Sequence, residues 1–186
     1  MNDSLLLLSS FIKKPKETGA VAPSSKSLTK EIIKNIDFKS SRNIVELGPG
    51  LGTFTKAILK RANLTTKLFC FEVNRKFCSY LNKKIIDERF VVINASAEKI
   101  NHNLKKFNVK KADCVISGLP FLNFPESKKQ AIIREVKNSL NDGGKFILFQ
   151  YTNGLSKLLQ SYFSKVDRKF IPLNIPPAFV YICKKQ

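Results

Sequence analysis

The chain predicts an α/β fold: a doubly wound, mainly parallel seven-stranded sheet closed by an antiparallel terminal hairpin. Three observations carry that expectation. The first is the apolar run Asn43-Ile44-Val45-Glu46-Leu47, which passes straight into Gly48-Pro49-Gly50-Leu51-Gly52 and then into a helix-forming stretch, Thr53 to Arg61. The second is the recurrence of strand-then-helix order through the middle of the chain, as parallel strands with crossover helices require. The third is a pair of strand-like runs near the C-terminus, separated only by Asn174-Ile175-Pro176-Pro177, which reads as a hairpin.

Taken in order, residues 2–14 (NDSLLLLSSFIKK) suit a helix with Leu5, Leu7, Leu8, Phe11 and Ile12 on one broad face and Ser10, Lys13 and Lys14 on the other. Leu6 interrupts the polar side. Such a short element, halted at Pro15, reads either as an interfacial amphipathic helix or as a helix packed over the sheet edge. In the first reading Leu5, Leu8, Phe11 and Ile12 enter the interface and Lys13 and Lys14 meet its charge. A small-residue loop follows, so residues 1–26 are expected to be a membrane-binding segment and residues 27–186 the globular domain. The domain opens with a helix from Leu28 to Asn35, capped by Ser27, with Glu31 four residues on.

After the glycine turn, Lys67 to Glu72 is a second strand that ends in an acid, and Arg75 to Lys84 is its helix. Phe90 to Asn94 is a third strand, leading into Ala95-Ser96-Ala97-Glu98. Ala112 to Ile116 is a fourth, running into Ser117-Gly118-Leu119-Pro120-Phe121. Glu126 to Leu140 is a helix, Asn141 to Gly144 a turn, Lys145 to Tyr151 a fifth strand and Leu155 to Phe163 a helix. Asp167 to Pro172 and Ala178 to Cys183 form the closing antiparallel pair.

At 186 residues and 43% hydrophobic content, one domain burying roughly 70% of its unfolded surface is expected. The apolar runs at Leu5 to Leu8 and Phe146 to Phe149 fall far short of the roughly 20 residues that cross a bilayer. The N-terminus has Asp3 and no basic residue ahead of its leucines, so a secretory signal is not expected and the chain should stay cytoplasmic. Cys70, Cys78, Cys114 and Cys183 are widely spaced, and His102 is the one histidine, in a helix-like and solvent-facing stretch. Buried free thiols are the expectation, with no metal site. Thirty-three Lys+Arg against 14 Asp+Glu leave a net charge of +19, which attracts a polyanion: nucleic acid or an anionic membrane.

The glycine turn is where chemistry is expected. Gly48, Gly50 and Gly52 let the backbone turn tightly and approach a ligand. Their G-x-G-x-G spacing, with Glu46 two residues ahead, departs from the G-x-G-x-x-G of pyrophosphate-binding turns. The E-x-G-x-G-x-G form resembles the first motif of class I S-adenosylmethionine (SAM) methyltransferases. That resemblance implies SAM as cofactor, with Glu46, Gly48, Gly50 and Gly52 around its methionine part. Glu72 would accept from its ribose hydroxyls, Ser96 would meet the adenine, and Val73 and Ala97 would also contact the cofactor. Ser96 stands where an acid is usual. The Ser117 to Phe121 loop is similar to the acceptor loop of amine and adenine N-methyltransferases. It implies Ser117 beside the cofactor and the target nitrogen, and Phe121, Phe124 and Tyr151 against the acceptor, with Tyr151 the candidate acid/base.

Over nearly its whole length the sequence resembles the bacterial phospholipid N-methyltransferases. The residues carrying this are Phe11 to Ser25 (FIKKPKETGAVAPSS), Glu46 to Gly52, Ser117 to Phe121 and Asn174 to Tyr181 (NIPPAFVY). The resemblance implies stepwise methylation of phosphatidylethanolamine toward phosphatidylcholine at the inner face of the cell membrane. Its partners would be an anionic membrane surface and an amino phospholipid. The alternative is an enzyme like the ribosomal RNA adenine dimethyltransferases, with nucleic acid as partner. Those normally carry a further helical domain, whereas this sequence ends at Gln186, soon after the hairpin. A non-catalytic protein with a vestigial fold would leave the glycine turn and Glu72 without a use.

Overall fold

The structure is a computed structural model that describes residues 25–186. Seven strands form one sheet: β1 (Asn43–Leu47), β2 (Lys67–Phe71), β3 (Phe90–Ile93), β4 (Ala112–Ser117), β5 (Leu140–Gln150), β6 (Lys165–Ile171) and β7 (Ala178–Lys184). Their spatial order is β3-β2-β1-β4-β5-β7-β6. Strands β1 to β5 run parallel, whereas β7 lies antiparallel to both β5 and β6. The predicted fold class is therefore the observed one. The chain builds outward from β1 through β2 to β3, then crosses back to place β4 on the other side of β1. That reversal opens a crevice at the carboxyl ends of β1 and β4, where open α/β sheets place ligands.

The helices are α1 (Lys26–Lys34), α2 (Thr53–Leu59), α3 (Arg75–Lys84), α4 (Ile100–Lys105), α5 (Glu126–Ser139) and α6 (Ser156–Gln160). Both faces of the sheet are covered, which is why the central strands read as unbroken apolar runs. Leu28, Ile32 and Ile33 of α1 and Phe54 and Ile58 of α2 pack on Ile44, Leu68, Ile116 and Ile147. Ile100, Leu104, Ile132, Val136 and Leu159, from α4 to α6, pack on Val45, Leu47, Val115, Phe146 and Leu148. Truncating a fully buried Ile32 or Ile58 to Ala would cost about 2–5 kcal/mol. Alternation along β1 puts Val45 and Leu47 on the α5 side, and Ile44 and Glu46 under α2. Outermost β6 carries exposed Lys165, Asp167, Arg168 and Lys169, charges that discourage pairing with another strand.

Several boundaries differ from expectation. The cap of α1 is Ser25, whose Oγ accepts from the Leu28 amide at 3.1 Å. Ser27, expected there, lies inside the first turn and donates instead to Leu173 O at 3.2 Å. Asn141 to Gly144 is not a free turn but the irregular start of β5, with Gly143 at φ +75° and a register shift opposite Ala112 and Cys114. Cross-strand bonds between Gly143, Gly144 and Lys185 draw it into the sheet. A 3₁₀ turn at Ala97–Lys99 leads into α4, and His102 there is exposed. All four cysteines are free and buried. Residues 2–14 and the membrane contacts expected of them, Leu5, Leu8, Phe11, Ile12, Lys13 and Lys14, lie outside the described residues. Among the described residues no helix is long and apolar enough to cross a membrane, and no cluster of His, Cys, Asp and Glu suits a metal ion.

Candidate cofactor and acceptor site

Three loops meet at the carboxyl ends of β1, β2 and β4. The Gly48 amide donates to Phe71 O and the Gly118 amide to Leu47 O, both at 2.9 Å, so the loops are fastened to one another. Gly48 has φ +67°, and a Cβ there would meet Leu119 Cδ2 at 2.9 Å. Both the turn and the approach of the β4 loop therefore need glycine. Gly50 also has positive φ, +54°, yet has open space beside it. Gly52 at φ +80° is held against Leu81 of α3.

Glu46 and Glu72 flank this turn. Glu46 is fully buried; its Oε2 accepts from Thr55 Oγ1 at 2.7 Å and from Cys70 Sγ at 3.4 Å. Its Oε1 has no hydrogen-bond partner. Burial pushes the Glu46 carboxyl up to about 7, outweighing the downward pull of the Thr55 and Cys70 bonds. Glu72, 7% exposed, accepts from the Asn74 amide at 2.9 Å and from the Gly50 amide at 3.4 Å. Burial raises its carboxyl too, against those backbone donors. An unpartnered buried carboxylate oxygen and a second carboxylate within reach of the glycine turn suit a ligand rich in donors. SAM supplies such donors in its ammonium group and its two ribose hydroxyls, so the residues present fit it. Glu46 and Glu72 are the groups that would hold it, with Gly48 and Gly50 giving room.

On the far side of β2, Val73 is 67% exposed, a large apolar side chain left uncovered beside Glu72. Asn94 Nδ2 donates to Glu72 O at 2.9 Å and to Val73 O at 3.0 Å, which fixes the chain where it leaves β2. Ser96 caps the 3₁₀ turn; its Oγ bonds Glu98 Oε2 at 2.9 Å, and Ala97 behind it is buried. A carboxylate thus stands next to Ser96, supplied from two residues further along.

The acceptor loop departs from expectation. Ser117 is fully buried and its Oγ accepts from the Leu119 amide at 3.1 Å, so it shapes the loop from beneath. Phe121, expected against the acceptor, is also fully buried, edge-on to Phe124 at 6.1 Å and Phe146 at 6.3 Å. The loop's 3₁₀ turn swings that ring into the core, leaving it no free face. Phe124 is half-buried, and Lys128 Nζ lies 4.7 Å from its ring centroid. Tyr151 is half-buried and packs edge-on against Phe149 at 5.8 Å. Burial raises its phenol above the ordinary value, so it keeps its proton at neutral pH and is unsuited to act as a base.

Besides Asn94, the part that two further residues play in organising this edge was not read from sequence, although Asn174 was expected in the hairpin turn. Gln150, at the end of β5, donates from Nε2 to Leu119 O at 2.9 Å and so holds the acceptor loop. Asn174 is 3% exposed and ties the β6–β7 turn to the start of α1, accepting from the Ser25 amide at 3.2 Å. For Asn94 and Gln150 the available signal was a lone amide side chain at the carboxyl end of an apolar strand.

Sheet order, switch-point crevice, glycine turn and flanking carboxylates define a class I SAM-dependent methyltransferase. Residues 23–166 match the family model for ribosomal RNA adenine dimethylase, and the chain belongs to that family. It is 30% identical to an ornithine lipid N-methyltransferase of Singulisphaera acidiphila over 186 residues, covering 99% of this chain and 97% of that one. It is 40% identical to the ribosomal RNA small subunit methyltransferase A of Borreliella burgdorferi over 60 residues, 32% of this chain and 20% of the relative. The match to that relative thus spans about a fifth of its length. Among solved structures, a Burkholderia thailandensis 1,6-didemethyltoxoflavin-N1-methyltransferase with bound S-adenosylhomocysteine superposes with TM-score 0.71 and 12% identity, covering 98% of this chain and 88% of that one. A likeness over nearly the whole of both sequences thus ties the chain to a lipid N-methyltransferase whose name specifies ornithine lipid, where the sequence motifs had implied a phospholipid enzyme.

Proposed function

We propose that the acceptor is the primary amine of a membrane lipid head group, methylated at the inner face of the cell membrane. The observation that carries this is the likeness to an ornithine lipid N-methyltransferase over 97% of that relative. Phosphatidylethanolamine, the acceptor implied by the sequence motifs, and an ornithine lipid share the relevant chemistry: an aliphatic amine on an acyl-bearing anchor. The net charge of +19 supports residence at an anionic surface.

SAM supplies a methyl group carried on a sulfonium sulfur. The chain's own task is to present a neutral amine to it in line. An aliphatic ammonium with a pKa of about 10 must first lose a proton. Tyr151 retains its own proton and Glu46 would be engaged by the cofactor's ammonium, so the proton leaves to water. Positioning then supplies the rate. The Ser117 to Leu119 stretch leans on Gly48 and is shaped by Ser117 Oγ, Gln150 and the Gly118–Leu47 bond.

Membership of the adenine dimethylase family favours a second reading, with an RNA adenine amine as acceptor. Labelled SAM offered with vesicles containing phosphatidylethanolamine, with vesicles containing ornithine lipid and with total RNA separates the cases. Label in one lipid fraction is the expected result and names the acceptor. Label in RNA alone overturns the lipid reading.

A further inference from the structure

We infer that the β6–β7 turn is a bilayer-contact surface, with Leu173 and Ile175 entering the interface and Lys26 and Lys30 meeting anionic head groups beside them. The inference rests on the lipid reading only for the direction in which the enzyme faces its acceptor. It adds a contact separate from residues 2–14. The large apolar side chains that stand exposed among the described residues are few. Three of them, Phe170 (51%), Leu173 (78%) and Ile175 (87%), fall within six consecutive residues at this turn.

The turn is built to present them. Asn174 is 3% exposed, accepts from the Ser25 amide and donates from Nδ2 to Pro176 O at 2.6 Å. With Asn174 pulled inward, its neighbours on either side point out. Ser27 Oγ fastens Leu173 O from the same helix start. With the backbone already held, insertion costs only the rotamer freedom of two aliphatic side chains, which is smaller than the gain from burying them.

Location and charge point to a bilayer rather than a protein. Pairing of Phe179 with Gln150, and of Ala178 with Ile171, puts the turn at the carboxyl edge of the sheet, the edge that holds the glycine turn. Lys26 lies between Ser25 and Ser27, the two residues that tether the turn, and Lys30 is one helical turn along. Both are exposed, and neither has an ion pair among the described residues. Two projecting side chains among cations are far smaller than the roughly 800 Å² per partner of a stable protein interface. A fluid interface needs no complementary shape to receive them.

The test is cosedimentation of the full chain with vesicles of phosphatidylethanolamine and phosphatidylglycerol, comparing the parent with Leu173→Asp/Ile175→Asp. Leu64→Asp/Ile86→Asp, at exposed apolar positions in loops on the opposite edge, is the control. Partitioning should fall roughly tenfold for each side chain in the turn variant and stay unchanged in the control, with SAM affinity equal in all three. Equal partitioning of parent and turn variant, an equal loss in the control, or no vesicle binding by the parent overturns the inference. So does a lowered unfolding temperature of the turn variant without vesicles, which would mean that the chain's own first residues cover the turn. A parent dimer that the variant dissolves would assign the surface to a second copy, and likewise overturns it. Turn-dependent vesicle binding by a parent that labels no lipid leaves this surface standing and removes the acceptor assignment instead.

Discussion

Thr55 Oγ1 donates to Glu46 Oε2 at 2.7 Å, and the other oxygen of that buried carboxylate has no partner. The pair joins the fourth residue of β1 to the first turn of α2, across the glycine loop. It leaves the second oxygen of that carboxylate without a donor. Burial puts the carboxyl at about 7, against an ordinary 4.5, so the folded protein holds this proton more tightly than the unfolded chain does.

The consequence for stability has a definite sign. Below pH 4.5 the group is protonated in both states and imposes no charge penalty; between 4.5 and 7 the unfolded chain binds fewer protons, so stability falls as pH rises. Above pH 7 the loss is complete, about 3 kcal/mol. Glu46→Gln removes this dependence. Denaturant unfolding of the cofactor-free protein should show the variant gaining on the parent by about that amount across the window. A constant difference across pH would contradict the burial account.

Cofactor binding should report the same proton. A ligand ammonium near Glu46 favours the ionised carboxylate, so below pH 7 SAM binding should release a proton and tighten as pH rises. Calorimetry in two buffers of different ionisation enthalpy measures the release directly. Parent protein should show it and Glu46→Gln should not; equal values in both would place the ammonium elsewhere.

Glu72→Ala tests the other carboxylate. Removing an acceptor of two hydroxyl hydrogen bonds should weaken SAM binding roughly a hundredfold, at about 1.5 kcal/mol for each bond to a charged group. The Gly50 and Asn74 amides that it now accepts from would lose their partner as well. Unchanged affinity in this variant would sink the assignment of the crevice as the cofactor site.

What sequence could tell followed from how local each signal is. The glycine turn, Glu46 and Glu72 were legible because strand alternation, positive φ and a strand-ending acid are written within ten residues. The mainly parallel, doubly wound architecture was legible because parallel strands must be joined by crossover helices. Phe121 misled because its fate depends on a 3₁₀ turn that points it at Phe146, across a helix and most of a strand. Ser27 misled as a cap because Leu173, 146 residues away, engages its hydroxyl while Ser25 takes the cap. Long-range polar partners leave no periodicity in sequence.

Gln150 gives the last prediction, since its role is visible only in the fold. Its Nε2 grips Leu119 O at 2.9 Å, and Leu119 in turn packs on Gly48, so one amide links the end of β5 to the loop over the cofactor turn. Gln150→Leu keeps the side chain's size and leaves that carbonyl with the Phe121 amide alone, a loss of one hydrogen bond at about 0.5–1.5 kcal/mol. The loop should then sample positions away from Gly48. Because Gln150 touches neither carboxylate, SAM affinity should hold while kcat falls by about tenfold or more, the mark of a positioning residue. Gln150→Glu, which keeps the length but replaces the donor with an acceptor, should be at least as impaired, whereas Gln150→His, retaining a donor, should recover part of the loss. A rise in KM for SAM with kcat intact would show that the amide serves cofactor binding instead.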